Sequence, residues 1–167
     1  MSYQSPERIP DPSWRYDVYL NFRGEDTRHG FISHLYQALN NAGIHAFIVV
    51  EELQSGDDIS YTIFQAIEAS RVSVVVFSEN YASSRWCLDE LTKIMECRRT
   101  KGHPVIPVFY AVDPADVRHQ RGTFKEAFQR YEEIFSYDSH LSEKIHIWRA
   151  ALTEAGSISG VVIRKYE

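Results

Sequence analysis

A carboxylate and an indole stand four residues apart in the run from Ser78 to Leu91, and on the helix that this run enters Trp86 and Glu90 share one face. That face lies roughly 100–200° from the stripe carrying Leu88 and Leu91, so a ring and an anion are presented together. The plainer reading of the same spacing makes Trp86 a half-buried anchor and Glu90 a solvated helix charge or a partner of Arg85 or Lys93. Most other chemistries are excluded by what is missing. There is no G-x-x-x-x-G-K-S/T phosphate loop, no G-x-G-x-x-G, no G-x-S-x-G elbow and no Cys or His cluster at zinc spacing. A phosphoacceptor site would need acids gathered at strand ends, yet the first strand ends in Asn21-Phe22-Arg23 and the third in Phe77-Ser78-Glu79.

The elements that must position these groups follow from the spacing of apolar residues. Val18, Leu20 and Phe22 alternate with Asp17, Tyr19 and Asn21, the period of a strand. A turn at Arg23-Gly24-Glu25-Asp26-Thr27 comes next, with Asp26 or Thr27 suited to capping a helix. Phe31, Leu35, Ala38, Leu39 and Ala42 continue at helical spacing, and Gly43 supplies the stop. Ile44 to Val50 is a second strand, and Glu51 to Asp58 a surface loop. Ile59, Ile63, Ala66 and Ile67 mark one helix face. Val72 to Phe77, β-branched and nearly unbroken, predicts a central strand buried on both sides. Helices over Ser83 to Arg99, around Phe124 to Tyr131 and from Leu141 to Ala155 flank a fourth strand, Pro104 to Tyr110. Val161-Val162-Ile163 remains ambiguous. The connections are too long for hairpins. The expectation is therefore an α/β, flavodoxin-like three-layer fold, with a parallel sheet of about five strands and helices on both faces. Ligands in such folds settle at the carboxyl ends of the strands, here the loops after Phe22, Val50 and Phe77.

Composition agrees with a single folded unit of 167 residues, 44% hydrophobic and 25% charged. Residues 1–14 hold three of the six prolines and no period, which predicts a flexible arm ahead of the fold. The start has no apolar signal-like core, and the longest apolar stretch is too short to span a membrane. Cys87 and Cys97 lie ten apart on one predicted helix, roughly 15 Å along its axis, and so read as free thiols of a reducing cytosol. A net charge of -5 leaves no global field for a polyanion, which makes nucleic acid an unlikely partner.

Three segments carry a resemblance. Tyr16 to Arg28 (YDVYLNFRGEDTR), Trp86 to Leu91, and Val108 to Arg118 (VFYAVDPADVR) together resemble the plant Toll/interleukin receptor (TIR) domain, from about residue 15 to residue 167. Such domains usually head intracellular immune receptors that continue into a nucleotide-binding module and leucine-rich repeats. Neither lies within these residues, so a receptor fragment or a TIR-only protein is expected, in the cytoplasm with the nucleus as a second location.

The resemblance implies cleavage of the nicotinamide–ribose bond of NAD, or NADP, as substrate and with no further cofactor. Glu90 aligns with the family's catalytic glutamate. Nicotinamide leaves as a neutral base and strands positive charge on the ribose, so a nearby anion stabilises the transition state more than the ground state. Trp86 matches the family's aromatic wall, Ser84 its nearby hydroxyl, and Arg23, Gly24 and Arg28 the segment that meets the nucleotide. Ser33 and His34, with Gln37 and Asn41 close by, match a self-association surface, which implies other TIR domains as partners; lipase-like immune proteins would read the nucleotide products. The loop from Glu51 to Asp58 would meet a neighbouring domain. One departure stands out: where the family usually carries two aspartates this chain has Val49 and Val50, which favours the alternative of a non-catalytic adaptor.

Overall fold

The computed structural model describes residues 14–27, 30–49 and 61–164. The predicted arm falls outside these residues except for Trp14, whose ring stacks on His103 with centroids 4.9 Å apart. Val50, the loop from Glu51 to Asp58, Ile59 and Arg28 also lie outside them.

Five parallel strands form one sheet in the order β2-β1-β3-β4-β5: β1 Tyr16–Asn21, β2 Ala46–Phe47, β3 Ser70–Phe77, β4 Val105–Tyr110 and β5 Val161–Ile163. The ambiguous last segment is thus an edge strand, and the unbroken Val72–Phe77 run sits at the centre as its composition dictates. Register places Asn21 beside Val75 and Phe77 beside Phe109. Gly160 brings β5 in: a Cβ there would stand 2.2 Å from the Pro107 carbonyl oxygen, so only glycine permits that approach.

Seven helices and one 3-10 turn (Tyr81–Ser83) connect the strands among the described residues: α1 Gly24–Thr27, α2 Phe31–Asn41, α3 Tyr61–Glu68, α4 Arg85–Lys101, α5 Pro114–Arg118, α6 Thr123–Phe135 and α7 Ser139–Gly156. One face of the sheet carries the main core, in which Tyr19, Val75, Phe77 and Phe109 meet Ile67 of α3, Leu88 and Leu91 of α4, Phe128 of α6 and Trp148 of α7. The opposite face holds a smaller cluster of Val76 and Val108 under Ile32 of α2, with Phe31 stacked on Tyr110. Helices on both faces of a parallel sheet make the expected flavodoxin-like architecture.

Three local readings need correction. The segment after β1 is two helices rather than one, and neither Asp26 nor Thr27 caps α2, whose N-cap is Gly30 without a side-chain bond. Ala38 and Ala42 are exposed, because Ile32 anchors the helix instead. The short helix α5 was not legible as one; Asp113 caps it by accepting from the Ala115 amide at 2.8 Å, and Pro114 occupies its first turn.

Candidate active site

The carboxyl end of β1 and the start of α4 meet over the main core. Period-2 geometry turns Tyr19 and Asn21 toward α4, and both are fully buried, so the strand's more polar phase faces inward. Ser84 caps α4 by accepting from the Cys87 amide at 3.2 Å. Ser84 therefore serves first as a cap, and its hydroxyl is not a freely presented group. Trp86 is half-buried against the core, while Glu90, one turn on, is buried with 8% of its surface accessible.

The solvated or Arg85- or Lys93-paired reading of Glu90 fails. Lys93 binds Glu68 at 2.7 Å and Glu96 at 3.5 Å, and the Arg85 guanidinium sits over the Phe135 ring at 5.1 Å. Instead the Tyr19 hydroxyl donates to Glu90 Oε1. Burial drives the Glu90 pKa up to about 7; the Tyr19 hydroxyl and the Asn21 amide pull it back, and the Asp89 carboxylate pushes it further up. Asn21 Nδ2 acts at a distance here, since it makes no hydrogen bond of good geometry. Burial and the Glu90 charge together hold the Tyr19 phenol well above its ordinary range, so it stays a donor.

Further bonds fix the surroundings. The Tyr81 hydroxyl donates to Asn21 Oδ1 and lies 3.0 Å from the Cys87 carbonyl oxygen, while Cys87 Sγ donates to the Phe22 carbonyl at 3.3 Å. Asp26 stitches the loop after β1 to the loop after β3, accepting from Ser78 Oγ at 2.7 Å and from the Asn80 amide at 2.9 Å. Arg23 turns onto the same stitch, with Nη1 donating to the Asn80 carbonyl at 3.3 Å and Nε 3.7 Å from Asp26. Gly24, in the short helix α1 between them, is buried.

The structure therefore brings Glu90, Trp86 and Ser84 together on α4 and its cap, with Arg23 and Gly24 across the β1 loop; Arg28 is outside the described residues. Ser33, His34, Gln37 and Asn41 are exposed on α2, on the opposite face of the sheet, and form no part of this site. Tyr19, Asn21, Tyr81 and Asp26 are the groups sequence reasoning missed. An asparagine in a strand with apolar neighbours on both sides was the one available signal, since such an amide needs a buried partner.

Chemically the site offers one carboxylate that ionises near neutrality. The adjacent Asp89 is engaged from α7, accepting from Trp148 Nε1 at 2.9 Å with Lys144 Nζ at 3.6 Å. Among the described residues no group of His, Cys, Asp or Glu could hold a metal ion, and no helix is long and apolar enough to cross a membrane. Two cavities lie elsewhere: about 630 Å³ at the ends of β4 and β5, lined by Asp113 and Ile163 among others, and about 330 Å³ near the amino end of β1, lined by Arg15, Glu68 and Lys101 among others.

A family model described as "TIR domain" matches residues 15–167. "Disease resistance protein RPV1" of Vitis rotundifolia is 56% identical over 145 residues, covering 87% of this chain and 10% of that protein. "TMV resistance protein N" of Nicotiana glutinosa is 50% identical over 147 residues, covering 88% of this chain and 13% of its own length. The chain thus spans about a tenth of the curated relatives it matches. Among solved structures, the TIR domains of the activated Roq1 resistosome, which recognises the pathogen effector XopQ, superpose with a TM-score of 0.78 at 48% identity, over 89% of this chain and 87% of that one.

Proposed function

The chain belongs to the TIR domain family, and from that premise we propose that it is a plant immune-signalling domain that cleaves the nicotinamide–ribose bond of NAD, or NADP, when assembled with other TIR domains. The supporting observation is Glu90, a buried carboxylate one turn from Trp86, with no ion pair among the described residues and poised near neutral pH. In the proposed reaction the C–N bond to nicotinamide breaks with its electron pair going to the ring nitrogen, which leaves neutral. The ribose carbon gains positive charge, and the Glu90 anion stabilises it without becoming bonded to it. Water then adds to that carbon and releases a proton, giving ADP-ribose; attack by a group of the same nucleotide gives a cyclic ADP-ribose-type product. No acid partner is required, because the leaving group is already a good one, in contrast to glycosidases with two carboxylates. No metal or other cofactor is invoked. The nucleotide products would be read by lipase-like immune proteins, in the cytoplasm and the nucleus.

Concentrated protein incubated with NAD is expected to release nicotinamide, and Glu90→Ala to lower the rate roughly 10²–10³-fold, as loss of a transition-state electrostatic partner does. No release from the wild type, or equal release from both, removes the enzymatic reading.

Assembly is the second half of the proposal. Ser33 and His34 lie exposed on one helix, and the resistosome relative carries its TIR domains within an assembly. Light scattering should detect concentration-dependent self-association that drops in the double variant Ser33→Ala, His34→Ala while the thermal melt is unchanged. A monomer at every concentration would dismiss it. Val49 favours a second reading, a non-catalytic adaptor: this apolar side chain packs half-buried against the main core where the family pattern places an acid. Self-association without nicotinamide release would select that reading.

A further inference from the structure

We propose that Tyr19 is a positioning residue for Glu90, its phenol on β1 fixing which oxygen of the carboxylate stays free and how readily that carboxylate holds a proton. This rests on the assignment of Glu90 as the catalytic anion.

The geometry leaves the phenol little choice. Tyr19 is fully buried, and its ring stacks on Phe47 of β2, with centroids 5.5 Å apart and planes 13° from parallel. The ring is therefore clamped at a strand residue whose direction is set by the pleat. A phenol in such dry surroundings needs an acceptor, and among the described residues it has Glu90 Oε1. Oε1 is thereby committed, while the nearby Asn21 Nδ2, which makes no hydrogen bond of good geometry, only leans on the carboxylate. The pair thus orients the carboxylate, and in the proposed reaction Oε2 is the oxygen left to face the developing ribose cation.

The same bond bears on protonation. A donor favours the charged form of its acceptor, so the phenol opposes the upward push of burial on Glu90. Among the described residues the other groups that act on Glu90 or its donor are Asn21 from β1, Tyr81 from the 3-10 turn, Asp89 from α4 and, through Tyr19 and Tyr81, Cys87 of α4; on the packed helix α3, Glu68 is tied to Lys93. These are the same in wild type and in a Tyr19 variant, so a difference between the two isolates the phenol.

Tyr19→Phe removes one oxygen and keeps the ring against Phe47. With glutamate carboxyls labelled with carbon-13, the Glu90 titration midpoint in the intact protein is expected to rise by about one pH unit, a tenfold change in the ionised fraction on the acid side. In the nicotinamide-release assay, kcat at pH 7 should fall several-fold and recover by pH 9, a rescue that a merely structural role would not give. Incorporation of 3,5-difluorotyrosine at position 19, a stronger donor, should move the midpoint the other way, and decides the matter if Tyr19→Phe does not fold. Unchanged midpoints in the folded variants, or an activity loss equally large at pH 7 and pH 9, would overturn the proposal. If the wild type releases no nicotinamide, the reading of Glu90 as catalytic fails while the carboxyl titration still tests Tyr19.

Discussion

Glu90→Gln is expected to raise the melting temperature of the protein at pH 8 while abolishing nicotinamide release. The reasoning is linkage. The ordinary glutamate value is 4.5, whereas Glu90 in the folded chain titrates at about 7. Below 4.5 both states hold the proton, and the stability contributed by neutral Glu90 is fully present. As pH rises from there toward 7, the unfolded chain releases its proton first, so stability falls; above 7 the loss levels off at about 3 kcal/mol. Glutamine keeps an oxygen to accept from Tyr19 and carries no charge to bury, so it escapes that loss. For a chain of this size that corresponds to a rise of about 5–10 °C at pH 8 and little change at pH 4. Thermal melts of both proteins across this range provide the check. A gap between the two curves that fails to widen with pH would show that the carboxylate is not held at a cost. An acid retained where it destabilises the fold is the pattern expected of a working group rather than a structural one.

Trp148→Ala should be the most damaging substitution in the main core, at about 3–5 kcal/mol. The indole is 1% exposed, its ring centroid lies 5.3 Å from that of Tyr131, and its Nε1 donates to Asp89 at 2.9 Å. Truncation therefore opens a cavity between α4 and α7 and removes a donor from a partly buried carboxylate at the same time. Set against a total stability of about 5–15 kcal/mol, this leaves little margin. The midpoint of urea denaturation measures it, and a loss below about 1 kcal/mol would mean that α4 and α7 do not depend on the indole. Trp148→Phe should fall between, since it keeps one aromatic ring in the core while giving up the rest of the indole and the bond to Asp89. Because Asp89 neighbours Glu90 in sequence, freeing it of its α7 donor also bears on the site.

The sheet and its main helices were legible because their signals are periodic. Val72–Phe77 could only be a central strand, and the stripes Phe124, Ala127, Phe128, Tyr131 and Leu141, Ile145, Trp148, Leu152, Ala155 each lie along one face of a real helix. The split between α1 and α2 was not legible, because Asp26 looks like a cap in sequence and spends its oxygens on Ser78 and Asn80, 52 and 54 residues away. Within the site, Glu90, Trp86 and Ser84 could be placed on α4 from spacing and resemblance. Their setting could not. Helical spacing tells which residues share a face; it does not tell that a strand carrying Tyr19 and Asn21 closes over Glu90 on that face and buries it while Trp86 stays half-buried. Long-range hydrogen bonds between polar side chains have no period, so the groups that tune Glu90 stayed hidden.

The margins of the sheet also constrain how copies of the domain can meet. β2 contributes two residues and β5 three, whereas the long strands β1, β3 and β4 are flanked on both sides. Among the described residues no extended ladder of unsatisfied amides is on offer to another molecule, so growth by strand addition, the route that ends in fibres, finds no template there. Packing between such domains through the described surface has to use side chains on helices and loops, and contacts of that kind dissolve when the concentration drops.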